Sequence, residues 1–350
     1  MSQPFEKIAV ITDLHFGRNG NNPVANQDNL DFLDWFVERA KTWGADRVAF
    51  MGDWHDSRFS IQLGTLDSSL VGMEKLSAAF NHIDFITGNH DLMYRDKRDV
   101  ASTIFAKNVP NINFINDPVT YGTGRDSITF LPWLVGDERK MVKQIKSRYV
   151  FSHLELPHFM MNARVPMPMH DKSITADDFP GPEYVFSGHF HFRQEQKNVI
   201  YTGNAMPFNF ADDHDADRGA MFLEWGKQPV FEAWPGQPLF RTMNLSELVD
   251  NPGKYLREKV TARVAMDVDL TFEQMQFIRD DLASQYGLRR LELIPRKQES
   301  VEDDEDLMKD VVFQSVDQIV EEGLLSLDSE AYDSKILRDI YIDAAENTIR

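Results

Sequence analysis

The sequence predicts a mixed α/β fold: two packed mixed β-sheets flanked by helices, then a small β-α-β unit and a helical tail. Three observations carry this. Short apolar runs alternate with helical stripes over roughly the first ninety residues, the pattern of a parallel, helix-covered sheet. From about Asn111 to Trp234 the strand-like runs crowd together with little helix between them, and a second sheet facing the first accommodates them. Pro235-Gly236-Gln237-Pro238 then breaks the chain before a separate strand-helix-strand pattern.

In chain order, Ile8 to Thr12 reads as a buried strand. Asp28 to Lys41 is a helix with apolar Leu30, Leu33, Val37 and Ala40 on one stripe, ending at Gly44. Arg47 to Met51 is a strand, Leu66 to Asn81 a helix, and Ile83 to Thr87 a strand. The crowded region supplies strands at 113–115, 127–131, 148–152, 184–187, 198–202, 220–225 and 230–234, with a helix only at Glu138 to Ser147. Beyond the break come a strand over Val260 to Val268, a helix over Thr271 to Tyr286 ended by Gly287, and a strand over Leu288 to Ile294. An acidic linker, Glu299 to Asp306, leads to two amphipathic helices near Leu307 to Leu324 and Glu330 to Thr348. The expected domains are therefore 1–235, 236–298 and 299–350.

Of 350 residues, 42% are hydrophobic and 27% charged, which is globular composition with room for two or three domains. With no cysteine, disulfides, thiolate zinc sites and cysteine nucleophiles are excluded. That composition suits a reducing cytoplasm. The start shows no signal-peptide pattern, and no stretch approaches a membrane span. A net charge of -19 disfavours a polyanionic partner, but its distribution matters. Residues 299–350 hold 16 acidic and 4 basic residues, a net of -12, so the first 298 carry only -7.

Five short motifs each follow an apolar run: Asp13-Leu14-His15, Gly52-Asp53-Trp54-His55-Asp56, Gly88-Asn89-His90-Asp91, Ser152-His153 and Gly188-His189-Phe190-His191. A strand fixes the backbone while its carboxyl end presents the next side chains to a crevice. Carboxylate, imidazole and amide oxygen without sulfur suit manganese, iron(II) or zinc, and prominent oxygen donors favour manganese. Seven candidate ligands exceed one closed tetrahedral site and match two cations sharing a carboxylate. Singly, an Asp-x-His or a Gly-Asp is most often a turn. Gly-Asn-His-Asp is rarer, arising by chance in on the order of one such chain in a thousand. Six of the ten histidines fall inside these motifs. His214, by contrast, sits among aspartates that read as a solvated acidic loop.

In these motifs the sequence resembles the calcineurin-like metallophosphoesterases, and within them the SbcD-type DNA repair and recombination nucleases, in the compact form bacteriophages encode. The resemblance covers about the first 235 residues. It implies one metal on Asp13, His15, Asp53 and His191, and another on Asp53, Asn89, His153 and His189. It places His90 over the scissile phosphate and Asp56 as a carboxylate orienting a histidine. Asp56 departs from the pattern, since many of these nucleases carry histidine there. The implied activity is manganese-dependent 3′ to 5′ exonuclease and endonuclease cleavage of DNA. The implied partner is an SMC-like ATP-binding-cassette ATPase gripped through 307–350, with a homodimer inside a heterotetramer. The 236–298 unit would cap the site and orient DNA.

Arg18, Arg58 and Arg95 closely follow metal motifs and are candidate phosphate clamps. Trp54 and Trp133 read as buried aromatics rather than base-stacking platforms. The rival enzymatic reading is a small-substrate phosphomonoesterase or cyclic nucleotide phosphodiesterase. The rival non-enzymatic reading is a scaffold for the ATPase on DNA, which has no need of His90.

Overall fold

The computed structural model describes residues 3–161, 165–170, 173–213 and 215–294. His214, the acidic linker and both tail helices expected from the sequence lie outside the described residues.

Apolar runs too short for helices become strands: β1 (Lys7–Ile11), β2 (Arg47–Met51), β3 (Ile83–Ile86), β4 (Ile112–Ile115), β5 (Val119–Thr123), β6 (Asp126–Leu131), β7 (Tyr149–His153), β8 (Tyr184–Gly188), β9 (Gln194–Gln196), β10 (Val199–Tyr201), β11 (Gly219–Glu224) and β12 (Val230–Ala233). They form two six-stranded sheets, ordered β12-β11-β1-β2-β3-β4 and β5-β6-β7-β8-β10-β9. In the first, β1 to β4 run parallel, β11 is antiparallel to β1, and β12 is antiparallel to β11. In the second, β6, β7, β8 and β10 run parallel, with β5 and β9 antiparallel at the edges.

The sheets pack face to face. Val10, Ala49, Met51 and Ile86 of the first meet Phe130, Phe151 and Phe186 of the second in one buried cluster. Because the central strands are covered on both faces, Ile8 to Ile11 and Val48 to Met51 are apolar at every position rather than alternating. The outer face of the first sheet is covered by two helices, Pro23–Trp43 and Leu63–Ala79. The first starts earlier than its apolar stripe indicates: Asn22 caps Val24 N at 2.9 Å and Pro23 occupies the first turn. The second comes so close to it at Gly72 that a Cβ there would meet Leu33 at 2.9 Å. The outer face of the second sheet is flanked by 3₁₀ helices at Gly136–Gln144 and Ala176–Asp178 and by the loop between β7 and β8. The α-helix expected at Glu138 to Ser147 is thus a 3₁₀ segment, pinned early by Glu138, which accepts from Val135 N at 2.9 Å and pairs with Arg98.

After β12 come β13 (Leu239–Asn244), β14 (Val260–Ala265) and β15 (Arg290–Ile294), with helix Phe272–Tyr286 between the last two. All three strands are parallel, with β14 in the middle, and they bury their own cluster around Leu239, Leu248, Val260 and Val264. The β-α-β pattern is present, and β13 is a further strand that the sequence does not announce. Its alternation is broken by Arg241 and Thr242, which take part in contacts with Asp213. Arg289 grips Asp28, a buried carboxylate on the Pro23–Trp43 helix, and Lys259 reaches Asp31 at 2.6 Å. These pairs tie the small sheet to the larger body.

Phe151 is fully buried between the sheets, and Phe272 is 68% exposed on its helix. Phe151→Ala is expected to cost about 3–5 kcal/mol and Phe272→Ala under about 0.5 kcal/mol, read from urea unfolding midpoints. Equal, small effects would mean that the two sheets do not share a core.

Candidate metal centre

The parallel strands of both sheets end at the same edge of the sandwich, and the motif residues emerge there. Asp13 follows β1, Asp53 follows β2 and Asn89 follows β3; His153 ends β7 and His189 follows β8. Asp13, His15, Asp53 and His189 all have positive φ, at 53°, 50°, 58° and 93°. For residues with a Cβ this backbone is costly and persists where the surroundings enforce it. Glycines make the approach possible. A Cβ on Gly88 would run into Asp53 Oδ1, and one on Gly188 into Thr12 and Asp13.

Three groups of donors gather, each with ligand atoms within 4.8 Å of one another: Asp13, His15 and His191; Asp53, His153 and His189; and His15, Asp56 and His90. His15 Nε2 lies 3.8 Å from Asp13 Oδ1, 3.7 Å from Asp53 Oδ2 and 3.2 Å from His191 Nε2. On the other side His153 Nε2 lies 3.3 Å from Asp53 Oδ2 and 3.0 Å from Asn89 Oδ1, and His189 Nδ1 lies 2.8 Å from that same amide oxygen. Asp53 thus stands between the two groups.

The electrostatics call for positive charge here. Burial alone would raise the Asp13 and Asp53 carboxyls, but His15 at the first and His153 at the second hold both below the ordinary range. In return, although burial disfavours charged rings, Asp13 and Asp56 draw His15 up to about 10, and Asp53 draws His153 up to about 9. Protons on these rings occupy the electrostatic place that a divalent cation takes when it displaces them. The donor set, oxygen and nitrogen with no sulfur, fits such a cation.

The far nitrogens of these rings also face polar groups. His15 Nδ1 stands 3.2 Å from the Asp56 carboxylate, His153 Nδ1 donates to Met51 O at 2.7 Å, and His189 Nε2 stands 3.4 Å from Glu155. Asp56 meets His15 with its carboxylate and His90 with its main chain, as His90 Nδ1 donates to Asp56 O at 2.6 Å. His90 N in turn donates to Asp53 Oδ1 at 2.8 Å. Burial holds the His90 ring below the ordinary imidazole value, against the pull of Asp53.

The three arginines divide. Arg18 is buried, donating to Leu14 O at 3.1 Å and Asn29 Oδ1 at 2.6 Å, with its guanidinium over the Phe208 ring. It is an internal group, with one guanidinium nitrogen turned to oxygens inside the fold rather than to solvent. Arg58 is half-buried, where burial and the neighbouring Arg95 lower its pKa. Arg95 is exposed, 4.0 Å from Glu155. Trp54 and Trp133 are both buried.

Several residues carry no sequence signal of their role. Asp91, fully buried, accepts from the main-chain N–H groups of Gly88, Asp53, Trp54 and His55 at 2.8 to 3.2 Å. Burial and the charge of Asp53 raise it to about 7. Phe208 packs on His15 and His191 with ring centroids at 5.6 and 5.1 Å. Glu155 had one available signal: it follows His153 by two residues, the spacing that puts side chains on one side of an extended chain. His55, inside the second motif, is buried between the hydroxyls of Ser69 and Ser102, and burial lowers it to about 3. It is structural.

A calcineurin-like phosphoesterase family model matches residues 6–193. Exonuclease subunit 1 of Enterobacteria phage T4 is 26% identical over 214 residues, 60% of this chain and 62% of that protein. The alignment therefore spans less than two thirds of the phage protein. The crystal structure of TT1561 of Thermus thermophilus is similar at 12% identity with a TM-score of 0.39, covering 65% of this chain and 99% of that one. The family match takes in every motif from Asp13 to His191 and more than half of the residues: the chain belongs to the calcineurin-like phosphoesterase family.

Proposed function

We propose that the protein is a two-metal DNA phosphodiesterase, cleaving as a 3′ to 5′ exonuclease and endonuclease. The observation that carries this is the gathering of seven oxygen and nitrogen donors at the strand ends of two sheets, with the Asp53 carboxylate between His15 and His153. The relative's description as an exonuclease subunit supports DNA as the substrate and a protein partner. Asp13, His15, Asp53 and His191 hold one cation; Asp53, Asn89, His153 and His189 hold the other. When bound, two divalent cations, manganese by donor type, supply Lewis acidity toward water and neutralise phosphate oxygens.

The chain's own part is positioning and proton transfer. A water oxygen attacks phosphorus in line and the bond to the 3′ oxygen breaks, so the product keeps its 5′ phosphate. With His90 Nδ1 donating to Asp56 O, Nε2 is the nitrogen that can serve the departing 3′ oxygen. Its proton requires the cationic ring, which bound phosphate favours over the free state. Arg58 and Arg95 are the two arginines placed to meet phosphate from solvent. The 236–298 unit caps the site and orients DNA, and 307–350 binds an SMC-like ATPase, in a heterotetramer built on a homodimer.

His90→Ala is expected to lower kcat by about 10²–10⁴-fold on bis-p-nitrophenyl phosphate and on linear duplex DNA, with manganese binding unchanged. Unchanged cleavage would remove His90 from the chemistry. A chelator is expected to abolish cleavage, with manganese restoring more of it than magnesium. Faster turnover of a phosphomonoester or cyclic nucleotide than of DNA would favour the small-substrate reading. Removing 307–350 is expected to spare diester cleavage and abolish ATPase association; loss of both would place that segment in the catalytic fold.

A further inference from the structure

Glu155 stands where no motif puts a functional residue, and its surroundings give it a task. It follows the end of β7, with its carboxylate 3.4 Å from His189 Nε2 and 4.0 Å from the Arg95 guanidinium. The opposite nitrogen of that ring, Nδ1, faces Asn89 Oδ1 at 2.8 Å. The ring is confined on other sides by Trp133, Phe190 and His153, with centroids 5.3, 4.8 and 5.3 Å away. Trp133 is itself fixed, donating its indole N–H to Arg95 O at 2.9 Å.

A histidine presents a lone pair to a cation only when its other nitrogen carries the proton, and an acceptor at that nitrogen selects this tautomer. Two neighbours already follow the rule: His15 has the Asp56 carboxylate at its far nitrogen and His153 has Met51 O. At His189 the group that stands in this place, among the described residues, is Glu155.

We infer that Glu155 is a positioning residue for His189, holding the proton on Nε2 so that Nδ1 is free to bind the cation shared with Asn89, His153 and Asp53. Arg95, with its guanidinium 4.0 Å from the same carboxylate, lies on the solvent side of Glu155 at the mouth of the site. The inference rests on the reading of His189 as a metal ligand.

The test is calorimetric titration of Mn²⁺ into the metal-stripped full-length chain, with electron paramagnetic resonance of the loaded protein. Wild type should bind two ions and show an exchange-coupled dimanganese signal. Glu155→Ala should weaken one ion by about 10–100-fold, leave the other within about threefold and replace the coupled signal by a six-line mononuclear one. Glu155→Gln retains an acceptor oxygen at the same reach and should stay close to wild type. Glu155→Asp keeps the charge but draws it back, and should behave like alanine. Two ions bound to Glu155→Ala at wild-type affinity would overturn the inference, as would a stronger aspartate than glutamine variant, which would mean that charge alone matters. Should the alanine variant fail to fold, the order of the glutamine and aspartate variants decides. Absence of Mn²⁺ binding by wild type would instead sink the metal reading itself.

Discussion

Three carboxylates, Asp13, Asp53 and Asp91, are buried at the edge where the two sheets end, and burying ionised carboxylates costs several kcal/mol each unless the charge is met. The rest of the site follows from how each is met. Asp91 sits under the loop and accepts from four main-chain N–H groups, two of them at Asp53 and Trp54. Those bonds hold Asp53 in its left-handed conformation and so aim its side chain into the crevice. Asp13 and Asp53 face imidazoles instead, and the mutual attraction keeps both acids ionised and two rings charged. Such an arrangement is poorly compensated by protons alone, because protonated rings at this distance repel: His191, next to His15, is pushed down to about 4 by burial and by that neighbour.

The fold supplies the rigidity that this electrostatic tension requires. The five motifs leave parallel strands whose side chains are almost all buried, so the loops cannot relax without disturbing the core between the sheets. Outward of the ligands, Phe208 covers His15 and His191, and Arg18 lies against Phe208 while its guanidinium is also 3.9 Å from Asp28. Asp28 in turn is gripped by Arg289 of the small sheet. A continuous set of packed and charged groups therefore joins the small sheet to one face of the centre.

What could be read from the sequence follows the range of the forces involved. The apolar runs and the ligand types were legible because strand burial and metal chemistry act through residue identity at short spacing. The strand Leu239–Asn244 was not, since its pairing with β14 is non-local and its middle positions, Arg241 and Thr242, are polar. The segment Gly136–Gln144 looked helical by composition, yet the Glu138 contacts to Val135 N and Arg98 tighten it into 3₁₀ turns. Arg18 reads as a candidate clamp because it closely follows a metal motif; only the tertiary structure shows Leu14 O and Asn29 waiting for it inside.

The same contrast separates the two acids that approach histidines of the site. Asp56 was legible as a histidine partner because it belongs to a recognisable motif, although its main chain and side chain serve different rings. Glu155 belongs to no motif, and its relation to His189 depends on β7 and β8 being neighbours in the second sheet, where His153 pairs with Gly188. That register sets Glu155, two residues past one ligand, against His189, one residue past the partner strand's end. Ligands are written in short words of sequence, whereas the groups that orient them are chosen by strand pairing, and for that reason a pairing map recovers them when a motif cannot.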